Sequence, residues 1–156
     1  MFVKSSLEVP FGVGAVREEL LGSLESWLES LTAEARTQRE HLLAQVGLTV
    51  ASSPHPLQLD VEEARIEDRM VALPFRVSAE GLDGQWPFFH SVLSAAWFGD
   101  ERTQLSLEAR YVPPEDLPRP GQTLLHRVVE SVNRHILEEL GSRLERRLAV
   151  SAATVR

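Results

Sequence analysis

The hydrophobic period of the chain changes twice, and the order of the changes predicts the architecture. Residues 2 to 9 alternate, with Val3, Ser5, Leu7 and Val9 on one face and Phe2, Lys4, Ser6 and Glu8 on the other, which predicts a half-buried strand ended by Pro10. From Gly14 to about Arg36 the apolar positions Val16, Leu20, Leu21, Leu24, Trp27, Leu28 and Leu31 recur every three or four residues. That spacing is helical, and Gly22 followed by Ser23 divides it into two short helices, because glycine is poor inside a helix and serine is a good N-cap.

Between Glu40 and Val112 the period becomes two. Leu42, Ala44 and Val46 suggest a strand ended by the Ser52 to Pro56 cluster, and Leu57, Leu59 and Val61 begin the next one. Val71, Leu73, Phe75 and Val77 form the cleanest alternation. The turn segments GLDG at 81–84 and Gly99-Asp100 bracket residues 86–98, and Leu105, Leu107, Ala109 and Tyr111 supply the last strand. The proline-rich segment VPPEDLPRPG then excludes a regular element. From Gln122 the positions Leu125, Val128, Val129, Val132, Ile136, Leu140, Leu144 and Leu148 predict a closing helix of about seven turns, on the order of 40 Å long.

The fold class that follows is α+β: an antiparallel curved sheet of about six strands wrapped around a long C-terminal helix, with two short helices after the first strand. One domain over residues 1–150 with a short tail at 151–156 fits the length of 156 residues. This element order, with the segment LLHRVVESVNRHILEELGSRLERRL as its most family-like stretch, resembles the START-like (helix-grip, SRPBCC) superfamily from Val3 to Leu148. The resemblance implies an apolar cavity between sheet and helix for lipids, polyketides, quinones or similar molecules. It carries over no active-site residue, because no catalytic signature of the superfamily aligns with this sequence.

Composition narrows the chemistry. There is no cysteine, which removes disulfides and thiol nucleophiles and suits a cytoplasmic setting. The N-terminal stretch lacks the continuous apolar core of a signal peptide, and no apolar run approaches the length of a membrane span. A net charge of −7 disfavours a nucleic-acid partner. The charge is uneven: residues 1–118 carry 9 basic and 19 acidic groups, residues 119–156 carry 7 and 4. Arg143, Arg146 and Arg147 are expected in the last turns of the closing helix, where cations suit its dipole.

Candidate site residues come from two places. Residues 86–98 hold five of the ten aromatic residues, and both faces of this strand are largely apolar. Such a strand packs in the core, lines a ligand, or meets a partner chain, as in a homodimer. With the closing helix set against it, the expected ligand contacts are Phe75, Trp86, Phe88, His90, Trp97, Tyr111, Val129 and Asn133. His90 is the titratable group best suited to proton exchange, with Tyr111 and Glu63 as further candidates. Glu63, Arg65 and Glu67 reach a cavity mouth if the register of their strand continues, and face solvent if a bulge intervenes. His126, Glu130 and Arg134 share a helix face and are expected to pair rather than to hold a metal. No cofactor is called for. The function expected is a binding or carrier protein for a hydrophobic or amphipathic small molecule. The alternatives are a cyclase- or dehydratase-type enzyme and an interaction protein with a filled core.

Overall fold

The computed structural model describes residues 1–23, 26, 27, 29, 30, 33, 57–79, 89–113 and 118–154. The predicted strand at 42–46, the loop at 52–56 and the turn at 81–84 lie outside them, as do Trp86 and Phe88. The described elements are β1 (Phe2–Val9), α1 (Val13–Gly22), β2 (Leu57–Val61), β3 (Arg65–Glu67), β4 (Met70–Ala79), β5 (Phe89–Trp97), β6 (Thr103–Arg110) and α2 (Arg119–Thr154).

The six strands form one open antiparallel sheet in the order β1-β6-β5-β4-β2, with β3 also pairing to β4. Register places residues of one parity in rows across the inner face. Val3, Ala109, Ser91, Phe75 and Val61 form one row, and Leu7, Leu105, Ala95, Val71 and Ile66 another. The middle members of these rows are buried, which is the alternation read from the sequence expressed as a sheet face. Tyr111 follows β6 but keeps its pairing: its N–H donates to the Met1 carbonyl at 3.0 Å, and the Met1 amino group donates to its carbonyl at 2.6 Å.

One strand departs from simple alternation. Val61 opposes Phe75 while Arg65 opposes Ala72, so four steps of one chain match three of the other. Glu63 and Ala64 share the place opposite Leu73, which is a β-bulge. The bulge reverses the faces beyond it. Ala64 turns onto the core, and Glu63, Arg65 and Glu67 are exposed.

The helical break falls where glycine and serine predicted it: α1 ends at Gly22 with Ser23 as its C-cap, and Trp27, helical again, donates its N–H to the Ser23 carbonyl. Gly12 at the head of α1 has a steric reason. A Cβ there would stand 2.9 Å from the Asp100 carbonyl oxygen in the β5–β6 turn, where Gly99 adopts φ 140°. Thr103 secures the same corner by donating its hydroxyl to the Phe11 carbonyl at 2.7 Å.

The closing helix begins earlier and ends later than its hydrophobic pattern suggests. It starts at Arg119, inside the proline-rich segment, because Pro120 in the first turn has no intrahelical donor to lose. It continues through Thr154 into the expected tail, for 36 residues or about 54 Å. Arg143, Arg146 and Arg147 therefore do not occupy its last turn, which contains no basic residue. Arg143 donates to Ser30 Oγ at 2.7 Å and Arg147 meets Glu19 at 2.6 Å, so they fasten the N-terminal helical segment rather than serve the helix dipole.

The helix backbone comes nearest to β1 and β6, with α1 on β5. The expected facing of helix and aromatic strand is met through side chains: Phe89 joins the cluster of Val129 and Leu125, and Leu93 and Ala95 share the main core with Leu137 and Leu140. Gly141 lies close over β1: a Cβ there would stand 3.1 Å from Leu7 Cδ1. Gly141→Leu should therefore destabilise the fold by about 1–3 kcal/mol through overpacking. Gly141→Ala should change little, since the Leu7 end can yield and the helix gains propensity. Urea denaturation of the two variants checks this.

Candidate functional site

Two stripes on α2 face different surroundings. The first runs through His126, Asn133, Leu137, Leu140, Gly141, Leu144 and Leu148 and sits on β1 and β6. Its contacts fix that placement. Asn133 Nδ2 donates to the Leu107 carbonyl at 2.9 Å and to Ser5 Oγ at 3.2 Å, and His126 Nδ1 is 2.8 Å from the Tyr111 hydroxyl. The second stripe, Leu125, Val128, Val129, Val132 and Ile136, is buried or half-buried and flanks the first. Seven residues beyond Ile136, Arg143 of this flank touches Ser30 and stands 5.8 Å from the Trp27 ring. The Arg143 end of this flank thus faces the α1 segment, while Val129 and Leu125 cluster with Val3 of β1, Tyr111 and Phe89.

The inner face of β4 and β5 carries Val71, Leu73, Phe75, Ser91, Leu93 and Ala95, all buried. Ser91 is the polar member of this set. Val3, Tyr111 and Val129, with Phe89 and Leu125 packed against them, form a second apolar cluster distinct from the main core. The rings of Phe89 and Tyr111 are 5.7 Å apart, and Tyr111 lies nearly parallel to His126.

The expected site residues separate on this frame. Phe75 and Val129 are buried on the inner face of β4 and on the α2 flank. Asn133 is buried but spends both amide protons on Ser5 and Leu107. Tyr111 is buried with its hydroxyl committed to His126, so that group holds the helix to the sheet. His90 has the opposite parity and lies on the outer face between Arg76 and Arg110, 3.8 Å from Glu62. It faces away from α2, because a strand turns successive side chains to opposite faces. Trp97 has inner-face parity but stands at the far end of β5, 43% exposed under the Arg69 guanidinium at 4.7 Å. His90, Tyr111 and Glu63 are consequently not gathered into an acid–base group. Among the described residues no group of three or more His, Asp or Glu side chains is placed to hold a metal ion, and no described helix is long and apolar enough to cross a membrane.

Sequence reasoning missed Ser91, Trp27 and His126 as parts of this region. Ser91 was visible as the polar member of an otherwise apolar parity, Phe89, Leu93, Ala95 and Trp97. The His126 contact was not visible, since its partner is fifteen residues away across a proline-rich loop.

This element order and sheet path define a helix-grip fold. No family model matches the sequence, and no curated protein matches it. Among solved structures the chain is similar to a conserved protein from Geobacillus kaustophilus, at 14% identity over 94% of this chain and 96% of that one, TM-score 0.46. It is also similar to the Zhui aromatase/cyclase from a Streptomyces species, at 16% identity over 95% of each chain, TM-score 0.40. A third is a norcoclaurine synthase from Thalictrum flavum, at 10% identity over 89% and 95%, TM-score 0.40. The last two are helix-grip proteins of the START/Bet v1-like superfamily.

Burial pushes the Tyr111 phenol up from 10.0 to about 12. Its folded value lies above its unfolded one, so the associated stability is complete below about pH 10 and is lost as pH rises toward 12. Tyr111 is the only tyrosine, so tyrosinate absorbance near 295 nm should rise in the folded protein with its midpoint near pH 12. In urea the same absorbance should appear near the ordinary value of about 10. Tyr111→Phe should cost about 1 kcal/mol, by leaving His126 Nδ1 without its bond.

Proposed function

We propose that the chain is a soluble, cytoplasmic carrier for a hydrophobic or amphipathic small molecule, held between the α2 flank and the inner face of β4 and β5. The observation that carries this is the sideways seat of α2. Its polar ties and its glycine contact commit one stripe to β1 and β6. A second apolar stripe, Leu125 to Ile136, runs beside it, from the Val3–Tyr111 cluster that holds Val129 to the main core at Ile136. There the sheet offers Phe75, Leu93 and Ser91. Ligand pockets are typically this mixture of apolar walls and few polar groups.

Phe75 and Val129 remain in the proposed lining, and Ser91 and Val132 join them. The ends of the site are Phe89 with Leu125 on one side and Trp27 on the other. A carrier needs no nucleophile, base and orienting group in mutual reach, and the dispersal of His90, Glu63 and Tyr111 suits that role better than acid–base catalysis.

Ser91→Leu separates an open interior from a filled one. In an open interior the added carbons occupy ligand space, and affinity for 1-anilinonaphthalene-8-sulfonate should fall at least about tenfold, with stability unchanged or raised. In a filled core the same substitution should overpack and lower stability by about 1–3 kcal/mol. Dye titration and urea denaturation of the one variant give both readouts.

A further inference from the structure

We infer that the indole N–H of Trp27 is the polar anchor of the interior, placed to donate to an acceptor oxygen on an otherwise apolar ligand. This rests on the interior site proposed above and specifies the chemistry of its occupant. Trp27 is only 5% exposed, yet its Nε1 has no hydrogen-bond partner. An unmade bond of this kind costs about 1–3 kcal/mol, and buried donors in folded proteins are nearly always satisfied. Other buried polar groups follow that rule here: Thr103 donates to Phe11, Asn133 to Leu107, and Tyr111 meets His126.

The surroundings of the indole sharpen its preference. The Arg143 and Arg147 guanidinium carbons stand 5.8 and 5.3 Å from the ring centroid. Cations over the ring draw on its electron density and strengthen the N–H as a donor. Both guanidinium groups have other partners, Arg143 in Ser30, Arg147 in Glu19 and Ser23. The indole proton is the group left to a guest. Trp27 belongs to the same apolar cluster as Phe75 and Leu93 and lies on the Arg143 side of α2, the side of the Val132–Ile136 flank. A carbonyl or carboxylate oxygen satisfies this donor, whereas an ammonium group sets donor against donor and adds a cation beside two others.

Two probes of nearly equal shape test this: 2-acetonaphthalene, which carries one acceptor oxygen, and 2-isopropylnaphthalene, which carries none. Their dissociation constants are measured on the wild-type chain and on a chain with benzothienylalanine incorporated at position 27. That side chain keeps the indole shape and replaces N–H by sulfur. Comparing the ratio between the two proteins cancels the different solubilities of the probes. The ketone-to-hydrocarbon preference should be at least about tenfold greater in the wild-type protein, the effect of one bond to an otherwise orphaned donor. Trp27→Phe should lose the preference as well, with a cooperative thermal transition showing that it remains folded. The same ratio in wild type and both variants would overturn the anchor while leaving interior binding intact. Failure of both probes to bind the wild-type chain would overturn both proposals.

Discussion

Asn133 Nδ2 donates one proton to the Leu107 carbonyl and the other to Ser5 Oγ, and the placement of the long helix follows from that pair of bonds. A buried amide left unpaired would cost about 1–3 kcal/mol, so α2 is held where both acceptors are in reach. The acceptors belong to β6 and β1, and the helix therefore sits over this edge of the sheet. His126 with Tyr111 adds a second tie toward the helix N-terminus, and Gly141 lets the backbone close on Leu7 further along. Apolar burial supplies most of the stabilisation, but it is not directional. The polar ties and the missing Cβ select one position.

That position divides the labour on α2. The stripe on β1 and β6 is consumed in holding the fold. The flank runs from Leu125 and Val129, clustered with Val3, Tyr111 and Phe89, to Ile136 beside the core that holds Phe75 and Leu93. Trp27 joins this region from the N-terminal helical segment, held by Arg143 and Arg147. Of the three arginines that sequence reasoning assigned to the helix dipole, Arg143 and Arg147 thus act in tertiary contacts, while Arg146 donates to the Ser142 carbonyl of its own helix. A single placement accounts for the commitment of Tyr111 and underlies the interior site proposed above.

The architecture was legible because it is written in periods. Alternation in Val3–Val9 and Val71–Phe75 and the three-four spacing from Leu125 to Leu148 are one-dimensional records of which face is buried. The Gly22–Ser23 break is equally local. What could not be read depends on partners distant in sequence. The bulge at Glu63 and Ala64 shows only as an offset between two pairings, yet it moves Arg65 and Glu67 to the other face. His90 was attractive by residue type, but the strand could be assigned two inner faces, since both parities were apolar. Register with β6 resolves this: Ser91 opposes Ala109 on the inner face, and His90 opposes Arg110 on the outer. Likewise, hydrophobic spacing defined the apolar side of α2 without saying which strands it would cover.

Whether a guest meets the flank of α2 or an outer surface is decided by intermolecular NOEs between bound 2-acetonaphthalene and methyl-labelled protein. Interior binding gives cross-peaks from the probe to the methyl groups of Val128, Val132, Ile136 and Leu93. Cross-peaks confined to the exposed Ile66 and Val112 methyls would contradict it.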